Sequence, residues 1–175
     1  MTNYRRPGTP GATWFFTVNM AERKGNTRLV THVDALRNSF AKVRLRHPFH
    51  IEAIVIMPDH LHCMWRLPEG DADNATRWGL IKAGFSRALP RSERISASRQ
   101  TRGERGIWQR RFWEYQIRDD TDYAAHVDYI HYNPVKHGHA DTAAAWPYSS
   151  FRAFVAKGTY PPDWATQPKM QRARE

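Results

Sequence analysis

A single cysteine, Cys63, stands in this chain. One thiol closes no disulfide framework and builds no cysteine metal site. Neither a signal-peptide pattern nor an apolar run of about 18 residues occurs, which points to the reducing cytoplasm and away from a membrane span. There is no internal repeat, no low-complexity tract and no motif for ATP. Acidic residues are also scarce. With 17 Asp and Glu against 27 Lys and Arg, the formal charge is +10 and the sequence pI is near 10.2. Such a balance favours a polyanionic partner, nucleic acid first. A membrane surface would meet the same charge, but no Lys/Arg-rich helix with a continuous apolar face is visible.

What is present suffices for a folded domain. At 175 residues with 41% hydrophobic content, the chain can bury a core, and its 13% aromatics suit both packing and stacking on unpaired bases. Residues 1–138 read as the main domain and 139–175 as a C-terminal helical patch and tail. An arm with Arg5 and Arg6 precedes a first strand at Trp14–Val18. A helix runs from Thr31 to about Arg46 on the stripe Val33, Leu36, Phe40 and Val43, with Thr31 and Asp34 resembling a capping box. After two strands, Asn74 is a cap for a second helix carrying Trp78, Ile81 and Phe85. Residues 90–106 read as a mobile basic loop containing Arg91, Arg94, Arg99, Arg102 and Arg105. Either a solvated insertion or phosphate contact fits that loop. A fourth strand at Trp108–Arg118 brings Arg110 and Arg111, and a third helix runs to Asn133, where Pro134 ends it or begins a turn. Trp146 and Trp164 are expected to anchor a tail too polar and Pro-rich to add a core. The order strand, helix, strand, strand, helix, strand, helix predicts an α+β fold: a ferredoxin-like split βαβ with an antiparallel sheet and packed helices.

The centre of this arrangement is Ile51–Leu67, IEAIVIMPDHLHCMWRL, two apolar runs broken at Pro58-Asp59 and so a strand pair. Alternation along the second strand puts His60 and His62 on one face and Leu61, Cys63 and Trp65 on the other. Two neutral imidazoles side by side suit a divalent cation. They equally suit two ordinary histidines on a half-exposed strand. The third helix adds a second set. Asp122, His126, Tyr129 and Asn133, spaced by four, three and four, fall within an arc of about 60°, while Tyr123, Val127 and Ile130 can pack on the sheet. Tyr129 on that stripe can reach a phosphate at the histidines, or merely pack. Asn133 can complete a metal's coordination, or merely cap the segment that begins at Pro134.

Taken in order and at these separations, MPDHLHCMW, RRFWEYQIRD, HVDYIHYNPVKHG and WPYSSF resemble the single-tyrosine HUH transposases of bacterial insertion sequences, and in particular their domesticated branch, the REP-associated tyrosine transposases. The likeness spans roughly Tyr4 to Trp164. His60-Leu61-His62 satisfies the HUH pattern, and the DYIHYNPVKHG block is the more diagnostic part. The resemblance implies a nucleophile at Tyr129, a third, amide ligand at Asn133, and a divalent metal, Mg²⁺ or Mn²⁺. It further implies strand-specific cleavage and rejoining of single-stranded DNA beside imperfect palindromic hairpins. The basic arm, the 90–106 loop and Arg110-Arg111 are the expected phosphate contacts, and the sequence leaves monomer and homodimer both open. The main rival is a non-catalytic ferredoxin-like module that binds single-stranded nucleic acid, although no aromatic RNP run is present. A metal hydrolase of the amidohydrolase kind would need further His and Asp ligands on separate strands of a longer chain.

Overall fold

A computed structural model describes residues 8–165, so the expected arginine arm at Arg5 and Arg6 lies outside the described residues. Strand β1 (Thr13–Asn19) leads through a short helix α1 (Arg28–Thr31) into α2 (Val33–Arg46), and β2 (His50–Ile56) and β3 (His60–Arg66) come next as a hairpin. Then come α3 (Asn74–Ala88), the short α4 (Ala97–Thr101), β4 (Trp113–Gln116), α5 (Asp120–Lys136) and α6 (Phe151–Ala156). The four strands form one antiparallel sheet in the order β2-β3-β1-β4. This is the split βαβ arrangement expected from the sequence. No helix among the described residues is long and apolar enough to cross a membrane.

Strand alternation divides the core in two. Trp14, Phe16 and Val18 of β1 and Leu61, Cys63 and Trp65 of β3 face α2 and α3, where Leu36, Phe40, Trp78, Ile81 and Phe85 meet them. Trp65 and Trp78 stack there at 4.6 Å, and the Trp65 indole donates to Asn74 Oδ1 at 2.8 Å. The opposite face offers Phe15, Ala53, Val55 and Met64 to Val127 and Ile130 of α5. One face is thus an aromatic core, and the other carries the helix with the polar stripe.

Several local expectations are corrected. Thr31 does not cap α2; a kink at His32 separates two helices, and the Thr31 hydroxyl bonds to Thr27 instead. At α3 the cap is Asp73, whose carboxylate accepts from Thr76 N, because Asn74 is drawn inward by the Trp65 indole. Strand β4 is shorter than Trp108–Arg118, since Trp108 forms only an isolated bridge with Met20 and is held by its indole bond to Lys82 O. Pro134 neither ends α5 nor kinks it off. The helix continues to Lys136 because His137 N still reaches Asn133 O, and Gly138, at φ +70°, supplies the left-handed residue that closes it.

The basic loop is not loose. Arg105 donates to Glu93 and to the carbonyls of Ser86, Leu89 and Pro90, tying the segment to the end of α3. Nor is the tail without a core. Phe151, Ala143 and Ala165 form a small third cluster with Tyr132, Tyr160 and Trp164 against it. Residues Tyr148 and Ser150 also hydrogen-bond to Ile56 and Ile54, covering what would be an open sheet edge at β2. The Trp146 indole, donating to Ile56 O at 3.0 Å, fastens this cover as expected.

Candidate metal and nucleophile site

His62, Thr17 and Trp113 lie opposite one another across β3, β1 and β4, while His60 faces Asn19 one pair further along. All share the face that α5 covers, because directly paired residues project to the same side. Together with Phe15, Arg23, His126, Tyr129 and His137 they line a cleft of about 290 Å³. The two histidines are 4% exposed with rings 4.9 Å apart, so they are not the ordinary half-exposed pair.

Each imidazole is held by its Nδ1. Thr17 Oγ1 lies 2.9 Å from His62 Nδ1, and Asp59 Oδ1 lies 2.6 Å from His60 Nδ1. Arg23 Nη2 also approaches His60 Nδ1 at 3.2 Å. One ring nitrogen cannot both donate and accept; the shorter, charge-assisted contact wins, so Nδ1 donates to Asp59 and Arg23 serves Asp59 through its 2.7 Å Nε bond. With Nδ1 so engaged, Nε2 is the nitrogen each ring turns to any further partner, and for His60 that side is approached by Asn133. Burial opposes ionisation of Asp59, but the hydrogen bonds of His60 and Arg23 outweigh it and hold the carboxyl below its ordinary range. Burial pushes His60 below the usual histidine value even against Asp59, and pushes His62 well below it, helped by the charges of His60, His137, Lys136 and Arg23. Both rings are therefore neutral near pH 7, as metal ligands must be.

Asn133 supplies the other sign of fit. It is fully buried, close enough to His60 to favour that ring's protonated form, yet neither Oδ1 nor Nδ2 has a hydrogen-bond partner of regular geometry. Orphaned buried amides are costly and mark a missing partner. Among the described residues no cluster of three or more His, Cys, Asp or Glu is placed to hold a metal, so any third protein donor beside the two histidines would be of another type. The Asn133 amide, which approaches His60, is a donor of such a type.

Tyr129 completes the cleft. Its ring lies 5.1 Å from that of His62 and 5.9 Å from Phe15, with the Lys136 ammonium 4.9 Å from its centroid. Tyr132 points away into the C-terminal cluster, and Tyr115 stacks on His126 at 5.0 Å. His126 Nδ1 is engaged by the Asp122 carbonyl at 2.8 Å. Of the polar stripe on α5, His126 and Tyr129 line the cleft, whereas Asp122 is taken up by Arg118 and His126 and Asn133 lies fully buried behind the lining; Tyr129 is the tyrosine of these three that lines it.

Of the expected phosphate contacts, Arg91, Arg94, Arg102 and Arg111 are exposed. Arg105 is committed to its internal bonds, Arg99 donates to Trp108 O, and Arg110 is paired with Glu104. The Arg105 and Arg99 guanidinium groups hold the 90–110 segment together and are taken up by it, whereas Arg110 is exposed. Sequence reading missed Thr17, Arg23, Asp59, His137 and Trp113 as members of the site. Asp59 and His137 carried a signal, being polar residues flanking the HxH and α5 motifs; Thr17 and Trp113 are brought in only by strand register.

No protein-family model matches the chain. Individual relatives do. A REP-associated tyrosine transposase of Escherichia coli (strain K12) is 46% identical over 165 residues, covering 94% of this chain and 92% of the relative. A Haemophilus influenzae protein described under the same family name is 44% identical over 172 residues, covering 98% and 97%. The solved structure of a REP-associated tyrosine transposase bound to a REP hairpin is 44% identical and aligns with a TM-score of 0.82 over 100% of this chain and 98% of that one. With such identity over nearly its whole length, the chain belongs to the REP-associated tyrosine transposases.

Proposed function

We propose that this transposase cuts and rejoins single-stranded DNA beside a REP-type palindromic hairpin, with Tyr129 as nucleophile and His60, His62 and Asn133 as the ligands of a divalent ion, Mg²⁺ or Mn²⁺. The observation that carries the reading is the Tyr129 ring 5.1 Å from His62, in one cleft with two imidazoles whose Nδ1 atoms are held by Thr17 and Asp59. The relative solved on a REP hairpin supports the choice of substrate.

A bound divalent ion supplies Lewis-acid polarisation of a phosphodiester oxygen. The chain's own residues supply the rest. Tyr129 Oη attacks phosphorus in line; the new P–Oη bond forms as the P–O3′ bond breaks. The phenol proton passes to solvent or a base, and the departing 3′ oxygen takes up a proton, so charge and atoms balance. The 5′-phosphotyrosine conserves the energy of the broken ester, and the 3′-OH of another strand reverses the step without ATP. Lys136 over the Tyr129 ring and Arg23 at the cleft wall would offer positive charge to a phosphate bound there.

The test is incubation with an oligonucleotide carrying a REP hairpin and single-stranded flanks, with Mg²⁺ or with chelator. Metal-dependent cleavage leaving covalently bound DNA is expected. Tight binding with no cleavage under either condition would return the protein to the class of non-catalytic single-strand binders.

A further inference from the structure

Among the described residues only three large hydrophobic side chains are exposed: Leu45, Leu80 and Trp113. The two leucines sit over the α2–α3 side of the sheet. Trp113, 48% exposed, is the one that borders the cleft. It belongs to none of the three hydrophobic clusters, so the core does not account for it.

Its position is fixed by register. Thr17 pairs with His62 on one side and Trp113 on the other, which sets Trp113 two strand spacings, about 10 Å, from His62 on the same face. Its orientation is fixed by stacking. The indole stacks on the Tyr115 ring, 5.9 Å away and 7° from parallel, and Tyr115 in turn stacks on His126 at 5.0 Å and 17°. Phe15 meets the indole edge-on at 5.8 Å. Trp113 is thus the open end of a column of parallel rings. A rigid aromatic face, half open and beside a cleft suited to a phosphodiester, takes the flat face of another ring as its next member.

We infer that Trp113 forms a nucleobase subsite, stacking one unpaired base of the DNA strand whose phosphodiester lies at Tyr129. This rests on the proposed cleavage reading and goes beyond it, since it names a base contact made through a π-face and so tolerant of base identity. Such a contact orders the strand entering the cleft and separates single-stranded flank from paired stem, because a base inside a duplex has no free face to offer.

The experiment compares wild type with Trp113→Ala and Trp113→Phe on a REP hairpin oligonucleotide whose single-stranded flank carries one abasic site, moved through each position in turn. Wild type should lose affinity at one flank position. Trp113→Ala should bind the intact oligonucleotide roughly 5- to 100-fold more weakly, with the loss falling on KM more than kcat, and Trp113→Phe should recover part of it. At the sensitive position the abasic site should cost Trp113→Ala nothing further, the non-additivity expected of two partners in one contact. Affinity for a blunt hairpin with no flank should be equal in all three. If Trp113→Ala binds and cleaves as wild type does, or if its losses add to those of every abasic site, the subsite is wrong while the cleavage reading stands. Wild type that neither binds nor cleaves the oligonucleotide removes both.

Discussion

Thr17 Oγ1 lies 2.9 Å from Nδ1 of His62, directly across the β1–β3 ladder. With Thr17 Oγ1 accepting from Nδ1, Nε2 of His62 keeps its lone pair, and the Asp59 carboxylate, which can only accept, imposes that tautomer on His60 at 2.6 Å. Thr17→Val keeps the shape and removes the hydroxyl. Thr17→Val and Asp59→Asn should each lower Mn²⁺ affinity about 10- to 100-fold, read by titrating metal into the protein without DNA. Undiminished affinity in both would show that these groups do not orient ligands.

Substitution of the histidines themselves should cost more than a strand-face residue normally does. Both are 4% exposed, and His62 stacks on Phe15 at 5.5 Å. His60→Ala and His62→Ala should fold but lose about 1–3 kcal/mol in denaturant unfolding, and should lose cleavage with either Mg²⁺ or Mn²⁺. Full activity of either variant, or of wild type in excess chelator, contradicts the metal assignment.

The fold was legible because its signals are periodic. Alternation over His60–Trp65 correctly divides the two faces of β3, and the spacing on α5 brings His126 and Tyr129 to one cleft, with Asn133 buried on the same helix. Illegible were choices settled by distant partners. Asn74 is a good cap by type, yet Trp65 claims its amide and leaves the cap to Asp73. Trp113 and Thr17 join the site only through strand pairing, which no local window contains. Arginine spacing likewise cannot tell a phosphate contact from Arg105, which is consumed by Glu93 and backbone carbonyls.

That distinction gives two opposite outcomes. Arg105→Ala should cost about 1–3 kcal/mol of stability, because it strips Glu93 of its guanidinium and the Ser86, Leu89 and Pro90 carbonyls of a charged donor. Replacing Arg91, Arg94 and Arg102 with alanine should leave stability nearly unchanged, weaken single-strand binding and reduce its salt slope by about 0.7 for each phosphate no longer neutralised. An unchanged slope makes that surface a solvated one.

His131 predicts the acid side of the stability profile. It is fully buried, with Nε2 2.8 Å from Ser150 Oγ, and burial pushes its pKa down to about 4. Above the unfolded value of about 6.5 the ring is neutral in both states and its contribution is complete. As pH falls toward about 4, the unfolded chain takes up a proton that the folded one refuses, so stability drops, by about 2 kcal/mol between pH ~7.5 and pH ~5. Urea unfolding at those two pH values should show a smaller drop in His131→Leu than in wild type. Equal drops would mean that His131 is accessible to protons in the folded state.

Tyr129, of all the tyrosines, is the one expected to become joined to DNA. Wild type should be incubated with the flanked REP hairpin and Mn²⁺, digested with protease, and its nucleotide-bearing peptide sequenced by mass spectrometry. The account predicts a 5′-phosphate ester on Tyr129, its absence in Tyr129→Phe although that variant still binds the hairpin, and its persistence in Tyr115→Phe and Tyr132→Phe. An adduct on any other residue, an adduct that survives in Tyr129→Phe, or cleavage by wild type with no adduct at all would contradict it.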